Sequence, residues 1–469
     1  MSMYEPTQNG APGIRLVSAP ALPADLLLRD VHALDPRTGL DGRRDVLVRD
    51  GEIAEIAAAG TLPAPDGCEL VEGEGRHLFP AFVDPHVHLR TPGQEHKEDL
   101  ETGTRSAAAG GYCAVVAMPN TSPVIDSAPI LGALLDAAAR EARVPVGFMP
   151  AITRGLQGTE LTDMAELRAL GAAGFTDDGR PVTDAGVFRR ALQYQRLCGG
   201  VLALHEEDPS LSGKGAMHEG VVSALLGVAG IPSVSESTMI ARDCALAGYE
   251  GARIHIQHLS ACESVEVIRA AKARGVAVTC EASPHHLTMT DEDVRTLDTR
   301  RKMNPPLRAE EDRQALIAGL VDGTIDCIAT DHAPHARDEK DVPFEQAPMG
   351  TTGLETAFSA VYTDLVLPGT LALQLVVEKL TAGLGLLDLL VPTIATGERA
   401  NLVLVDLDAE WVVGESGYES RSENCCFAGR TLRGRVLLTI ASGAVAFRER
   451  STILSVPAQA ASSERQSSR

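Results

Sequence analysis

Apolar positions change their spacing twice along the chain. Between residues 26 and 74, short apolar runs alternate with turn residues: Asp45-Val-Leu-Val, then Asp50-Gly51, then Glu52-Ile-Ala-Glu-Ile. An Asp-Gly pair between two such runs predicts a β-hairpin. The texture returns near the other end as Asn401-Leu-Val-Leu-Val, Arg435-Val-Leu-Leu-Thr-Ile, Ser442-Gly443 and Ala444-Val-Ala-Phe. The two β-rich pieces, 25–80 and 395–450, are expected to fold together as one small β domain. Residues 1–24 and 451–469 lack periodicity and carry small and polar residues, so both read as loose tails.

The middle, 81–394, alternates apolar strands with Ala-rich helical stretches such as 130–141 and 264–274. Eight apolar runs end in polar residues, among them Phe82-Val-Asp-Pro-His, Gly174-Phe-Thr-Asp-Asp, Val201-Leu-Ala-Leu-His, Ile254-His-Ile-Gln-His and Cys327-Ile-Ala-Thr-Asp-His. That order predicts an α/β fold of the (β/α)8 barrel class, in which strand C-termini converge on one site. Five of the eight strands end in His or Asp.

Composition narrows the picture. The chain has 469 residues, 44% of them hydrophobic but only 3% aromatic, so aliphatic side chains must fill the interior. A net charge of −22 disfavours nucleic acid and anionic membranes as partners. Nine irregularly spaced cysteines without a C-x-x-C pair suit reduced thiols in a cytoplasm. The N-terminus carries no signal-peptide pattern, and no apolar stretch approaches the ~20 residues of a membrane span.

The strand ends carry the chemistry. His86-Val-His88 closes the first strand, and residues two apart in a strand share a face. Alone, such a pair is more often structural than metal-binding. His205, His258 and Asp331 at three further strand ends change that balance, because four imidazoles and a carboxylate at one barrel mouth suit zinc. Two ions would need a bridging anion. The lone Lys between His88 and His205 is Lys97, in a polar stretch read as helical just after the first strand, so Asp177 or Asp178 must bridge. One of that pair is expected to be a turn residue before Gly179, and spacing does not choose between them.

Several segments resemble dihydroorotases, specifically the bacterial class I enzymes whose bridging ligand is an Asp. They are Asp84-Pro-His-Val-His-Leu-Arg-Thr-Pro-Gly93, Met118-Pro-Asn-Thr121, Thr176-Asp-Asp-Gly179, Ser283-Pro-His-His286, Met303-Asn-Pro-Pro-Leu307 and Ala329-Thr-Asp-His-Ala-Pro-His335. The resemblance implies a TIM-like amidohydrolase barrel with a composite β-sandwich, and interconversion of N-carbamoyl-L-aspartate and L-dihydroorotate in pyrimidine synthesis. It implies one to two zinc ions, with His86, His88, Asp178 and Asp331 on one and Asp178, His205 and His258 on the other. Asp331 is implied as the proton shuttle. His88, Arg90, Asn120, Asn304 and His335 are implied as substrate ligands, with Met349 and Gly350 contacting substrate through their backbone. Met349 stands where Phe is usual, and Thr91 where Glu is common.

His285 and His286 stay unassigned, and the segment 336–352 is a candidate lid. Two other readings compete. A hydantoinase or allantoinase would usually carry the bridging Lys and has no need of Arg90. A non-catalytic scaffold for aspartate transcarbamoylase would be expected to have lost metal ligands, and all six are present. A small-molecule substrate is expected; self-association and a complex with aspartate transcarbamoylase are both compatible with the resemblance.

Overall fold

The computed structural model describes residues 13–449. Eight parallel strands run in chain order around a barrel: Phe82–Val87, Tyr112–Ala117, Val146–Phe148, Phe175–Thr176, Leu202–Leu204, Ile254–Ile256, Val278–Ala282 and Cys327–Ile328. Two junctions lack ladder pairs but close by isolated hydrogen bonds. The Ala173 and Thr176 N–H groups donate to the Phe148 and Pro150 carbonyls at 2.8 and 3.0 Å, and His88 N–H reaches His332 O at 2.9 Å. Every residue of the second strand is buried, as a strand covered on both faces requires. Helices such as Ala128–Glu141, Ala185–Cys198 and Val234–Glu250 cover the outside.

Both β-rich pieces enter one eight-stranded sheet, joined where Leu402–Val412 pairs antiparallel with His77–Pro80. Side-chain alternation gives each face its own partner. Leu78, Leu402 and Leu404 enter the sheet's own core with Leu26, Val48 and Ile53. Phe79, Val403 and Val405 turn instead to the barrel core. There Phe358 stacks on Phe82 at 5.4 Å, so scarce aromatic rings concentrate at this junction. The sheet folds over itself into a sandwich, because its two terminal hairpins meet tip to tip. Asp50, Gly51, Ser442 and Gly443 all have positive φ, as two-residue hairpin turns demand. A Cβ on Gly51 would lie 2.6 Å from the Gly443 carbonyl, so close backbone approach requires glycine on both tips.

Three expectations change. Residues 13–19 are not loose: Ile14, Leu16 and Val17 are buried, and Val17 exchanges backbone hydrogen bonds with Val146 at 2.8 and 3.0 Å. The apolar side chains are too few for a periodicity signal, yet they cover the gap between the third and fourth strands. Residues 1–12 and 450–469 lie outside the described residues. Lys97 sits in a turn, not a helix; the helix starts at Leu100, capped by Asp99. Third, 413–430 leaves the sandwich, and Val413, Cys425, Cys426 and Phe427 pack with Met217, Met303 and Phe344 beside the barrel mouth.

Candidate active site

Asp178 forms the centre of the strand-end cluster. Its Oδ1 lies 3.7 Å from His86 Nε2, His205 Nδ1 and His258 Nε2, and its Oδ2 lies 3.5 Å from His88 Nε2. Asp331 Oδ1 approaches His88 Nε2 at 3.0 Å and His86 Nε2 at 3.4 Å. The adjacent Asp177 turns the other way, where Thr153 donates its N–H at 2.9 Å and its hydroxyl to the carboxylate. It is a buried bracket between two strand ends, more than a turn residue.

The donor set fits a divalent metal centre. His86 Nε2 is buried without a hydrogen-bond partner, while its Nδ1 lies 2.6 Å from Glu281 Oε1. A carboxylate accepts, so the proton sits on Nδ1 and a lone pair faces the cluster. His88 is held likewise, Nδ1 to Asn120 Oδ1 at 2.9 Å, and His205 by Nε2 to Glu207 Oε2 at 3.3 Å. His205 Nδ1 and His258 Nε2 stand 2.9 Å apart, within hydrogen-bonding distance of each other. Burial opposes charge on His86, yet Glu281, Asp331 and Asp178 raise its pKa to about 10. Surroundings that hold a proton so firmly also attract a metal cation. Burial likewise opposes ionisation of Asp178 and Asp331, but surrounding imidazoles depress both, Asp331 to about 2.

Backbone strain marks the same place. Arg90, His258 and Asp331 have φ of 57°, 32° and 49°, a region that costs L-residues about 1–3 kcal/mol. The His258 N–H is held by Glu281 Oε1 at 3.2 Å.

An open cavity of about 240 Å³ stands over the cluster. Its walls include every metal and substrate candidate implied by the resemblance except His86, which is fully buried, together with Gly179 and Ala333. Arg90 Nε donates to Pro334 O at 3.1 Å, and among the described residues its terminal nitrogens make no protein hydrogen bond. The planar fork is therefore free for a carboxylate. Burial lowers its pKa to about 10, so it remains a cation at neutral pH. Burial, with Arg90, Lys340 and Lys97 nearby, lowers His335 to about 3 and keeps it neutral.

Other candidates carry internal duties as well. Asn120 Nδ2 donates to Asp178 Oδ2 at 3.2 Å, and Asn304 Nδ2 to Glu207 Oε2 at 2.6 Å. His335 Nε2 donates to Met349 O at 2.9 Å, and the Gly350 N–H reaches Lys302 O at 2.8 Å. The segment 336–352 is stitched down over the mouth. Lys340 Nζ donates to Thr299 O, Lys302 O and Pro348 O at 2.8–3.3 Å, and Lys97 pairs with Glu339 at 2.9 Å.

Sequence reasoning missed Glu281 and Glu207. Glu281 had a signal, a lone acid inside an apolar strand; Glu207 had only its place two residues after His205. Of the unassigned pair, His286 is satisfied by Ser283 and Pro305, while His285 Nε2 is buried without a partner.

The chain is similar to several known proteins. A family description, dihydro-orotase-like, matches residues 75–264. A relative named dihydroorotase from Anaeromyxobacter sp. (strain K) is 47% identical, covering 90% of this chain and 98% of its own. One of the same name from Pelotomaculum thermopropionicum is 45% identical, covering 91% and 99%. Among solved structures, an L-hydantoinase (dihydropyrimidinase) from Arthrobacter aurescens superposes with a TM-score of 0.79 at 25% identity, covering 90% and 96%. A dihydropyrimidinase from Brevibacillus agri shares the fold with a TM-score of 0.78 at 20% identity.

Proposed function

The chain belongs to the dihydroorotase family, and from that premise we infer that it opens and closes the amide ring of L-dihydroorotate, exchanging it with N-carbamoyl-L-aspartate in pyrimidine synthesis. It is a cyclic amide hydrolase of the amidohydrolase fold. The observation that carries the residue-level reading is the cavity itself, with six His and Asp donors below and around it and a free guanidinium in its wall.

We assign zinc, one to two ions per chain, to His86, His88, Asp178, His205, His258 and Asp331, which would hold it. Bound there, zinc would lower the pKa of water and polarise the scissile carbonyl. The chain's own residues do the rest. Arg90 binds the ring carboxylate through its two free terminal nitrogens. Asn120, Asn304 and His335 orient the ring from the cavity wall, with the backbone at Met349 and Gly350 forming its far side. Asp331 takes the proton of the attacking water and delivers it to the leaving ring nitrogen; in ring closure it starts protonated. The stitched segment 336–352 limits bulk water over the reaction.

The nine free cysteines suit a reducing cytoplasm. Among the described residues no helix is long and apolar enough to cross a membrane. The resemblance allows a homo-oligomer or a complex with aspartate transcarbamoylase, which sedimentation with and without that partner would read.

The test is hydrolysis of dihydroorotate by purified protein with its metal measured, beside Arg90→Ala. The parent should turn over dihydroorotate in preference to uncharged hydantoins. Arg90→Ala should keep its metal and raise KM about tenfold or more, the scale of a charge-assisted hydrogen bond. Preference for hydantoins, or an unchanged KM in the variant, would overturn the carboxylate assignment.

A further inference from the structure

The connection between Leu402–Val412 and Thr431–Ala441 crosses from the sandwich to the barrel mouth and is fastened there. Half-buried Glu355 accepts the Glu419 and Ser420 N–H groups, both at 3.0 Å. Buried Glu98 accepts the Arg421 N–H at 3.1 Å, and the Ser422 hydroxyl donates to Lys97 O at 2.7 Å. These bonds deliver Asn424, 4% exposed, to a point behind the cavity wall.

There one side chain joins two separate strips of that wall. Asn424 Oδ1 accepts the His335 N–H at 3.0 Å. Its Nδ2 donates to the carbonyls of Ala333 and Gly350, both at 3.1 Å. Its own carbonyl accepts the Thr351 hydroxyl at 3.0 Å and the Thr352 N–H at 3.3 Å. Ala333, His335 and Gly350 all line the cavity, whereas Asn424 does not.

We propose that Asn424 is a positioning residue that sets the spacing between the wall strips 333–335 and 349–352, and so the shape of the substrate pocket; this rests on the dihydroorotase reading above. The chemistry of the amide supports it. Asparagine offers an acceptor and two donors from one short side chain, and all three are used here on backbone groups that would otherwise be buried without partners. Removing it leaves one N–H and two carbonyls to find new partners. The strips relieve that by shifting, and the cavity changes with them. None of the six metal donors makes a hydrogen bond to Asn424, so the metal centre is not disturbed directly.

The test uses the full-length, metal-loaded enzyme and dihydroorotate. Asn424→Ala should raise KM about tenfold, with a smaller fall in kcat and a metal content equal to the parent's. Asn424→Asp is isosteric, keeps the acceptor for His335 and loses both donors, so it should show the same split; it decides the matter if the alanine variant does not fold. Thr439→Val removes a buried bond to Ala108 O between sandwich and barrel. It should lower the melting temperature and leave KM alone. An unchanged KM in Asn424→Asp, or an equal KM rise in Thr439→Val, overturns the proposal. A parent with no activity on dihydroorotate would instead overturn the reading on which it rests.

Discussion

The proposed metal-donor floor and the proposed substrate-facing rim of the cavity differ in where their side chains come from. His86, His88, Asp178, His205, His258 and Asp331 stand at or just beyond the ends of barrel strands, and three of the imidazoles are braced by a partner on the outer nitrogen. Arg90, Asn304, His335, Met349 and Gly350 lie on the loops beyond, held by residues distant in the chain, above all Lys340 and Asn424. The floor inherits its geometry from the ladder of the barrel. The rim depends on bonds that cross between elements, so its shape can be altered while the floor stays intact.

Three measurements would break or sharpen that division. The largest effect is expected on the floor. Asp331→Asn keeps the shape of the side chain but removes its basicity, so kcat should fall by about 10²-fold or more with much of the metal retained. Asp178→Asn should instead lose metal first, since it faces all four imidazoles, and Asp177→Asn should lose neither. Metal analysis beside turnover reads all three, and zinc loss in Asp177→Asn alone would reverse the assignment.

A smaller effect tests the bracing. Glu281→Gln replaces the acceptor on His86 Nδ1 with an amide, and metal affinity should fall by about 10- to 100-fold, the scale for outer partners of metal-binding histidines. A titration with a competing chelator gives the affinity; an unchanged value would mean that the barrel alone orients His86.

The smallest effect lies under the rim. Burial, partly offset by the Ser420 and Glu419 N–H groups, raises the Glu355 pKa from 4.5 to about 7. An acid with a raised folded-state pKa contributes stability below its unfolded pKa and loses it as pH rises through the folded one. The parent's melting temperature should therefore decline relative to Glu355→Gln between about pH 4.5 and 7. Parallel melting curves across that range would show that Glu355 stays ionised.

The same division decided what could be read from the sequence. Barrel strands end in conspicuous polar residues after apolar runs, and the i, i+2 rule puts His86 and His88 on one face without any structure. Both hairpin turns were visible because Asp50-Gly51 and Ser442-Gly443 supply the positive φ that such turns require. Choosing Asp178 over Asp177 needed the resemblance, because adjacent residues point to opposite sides and only the course of the strand says which side is inward. Asn424 left no local trace: it lies 89 residues from His335 and 74 from Gly350, and nothing in Ser-Glu-Asn-Cys-Cys announces a contact with either. Residues 13–19 were misjudged for a related reason, since a single extended strap carries too few apolar positions to register as an element.

The seam between His77–Pro80 and Leu402–Val412 has a consequence during synthesis on the ribosome. Roughly 320 residues separate the two partners, and chains grow at about 5–20 residues per second. The first half of the sandwich therefore waits on the order of 15–65 s for its complement. Through that interval His77–Pro80, which carries the apolar Leu78 and Phe79, exposes an unpaired edge, the kind that invites pairing with another chain. The nascent barrel is thus made between two halves of a sheet that close last, and a chaperone shielding that edge would raise the yield of folded enzyme.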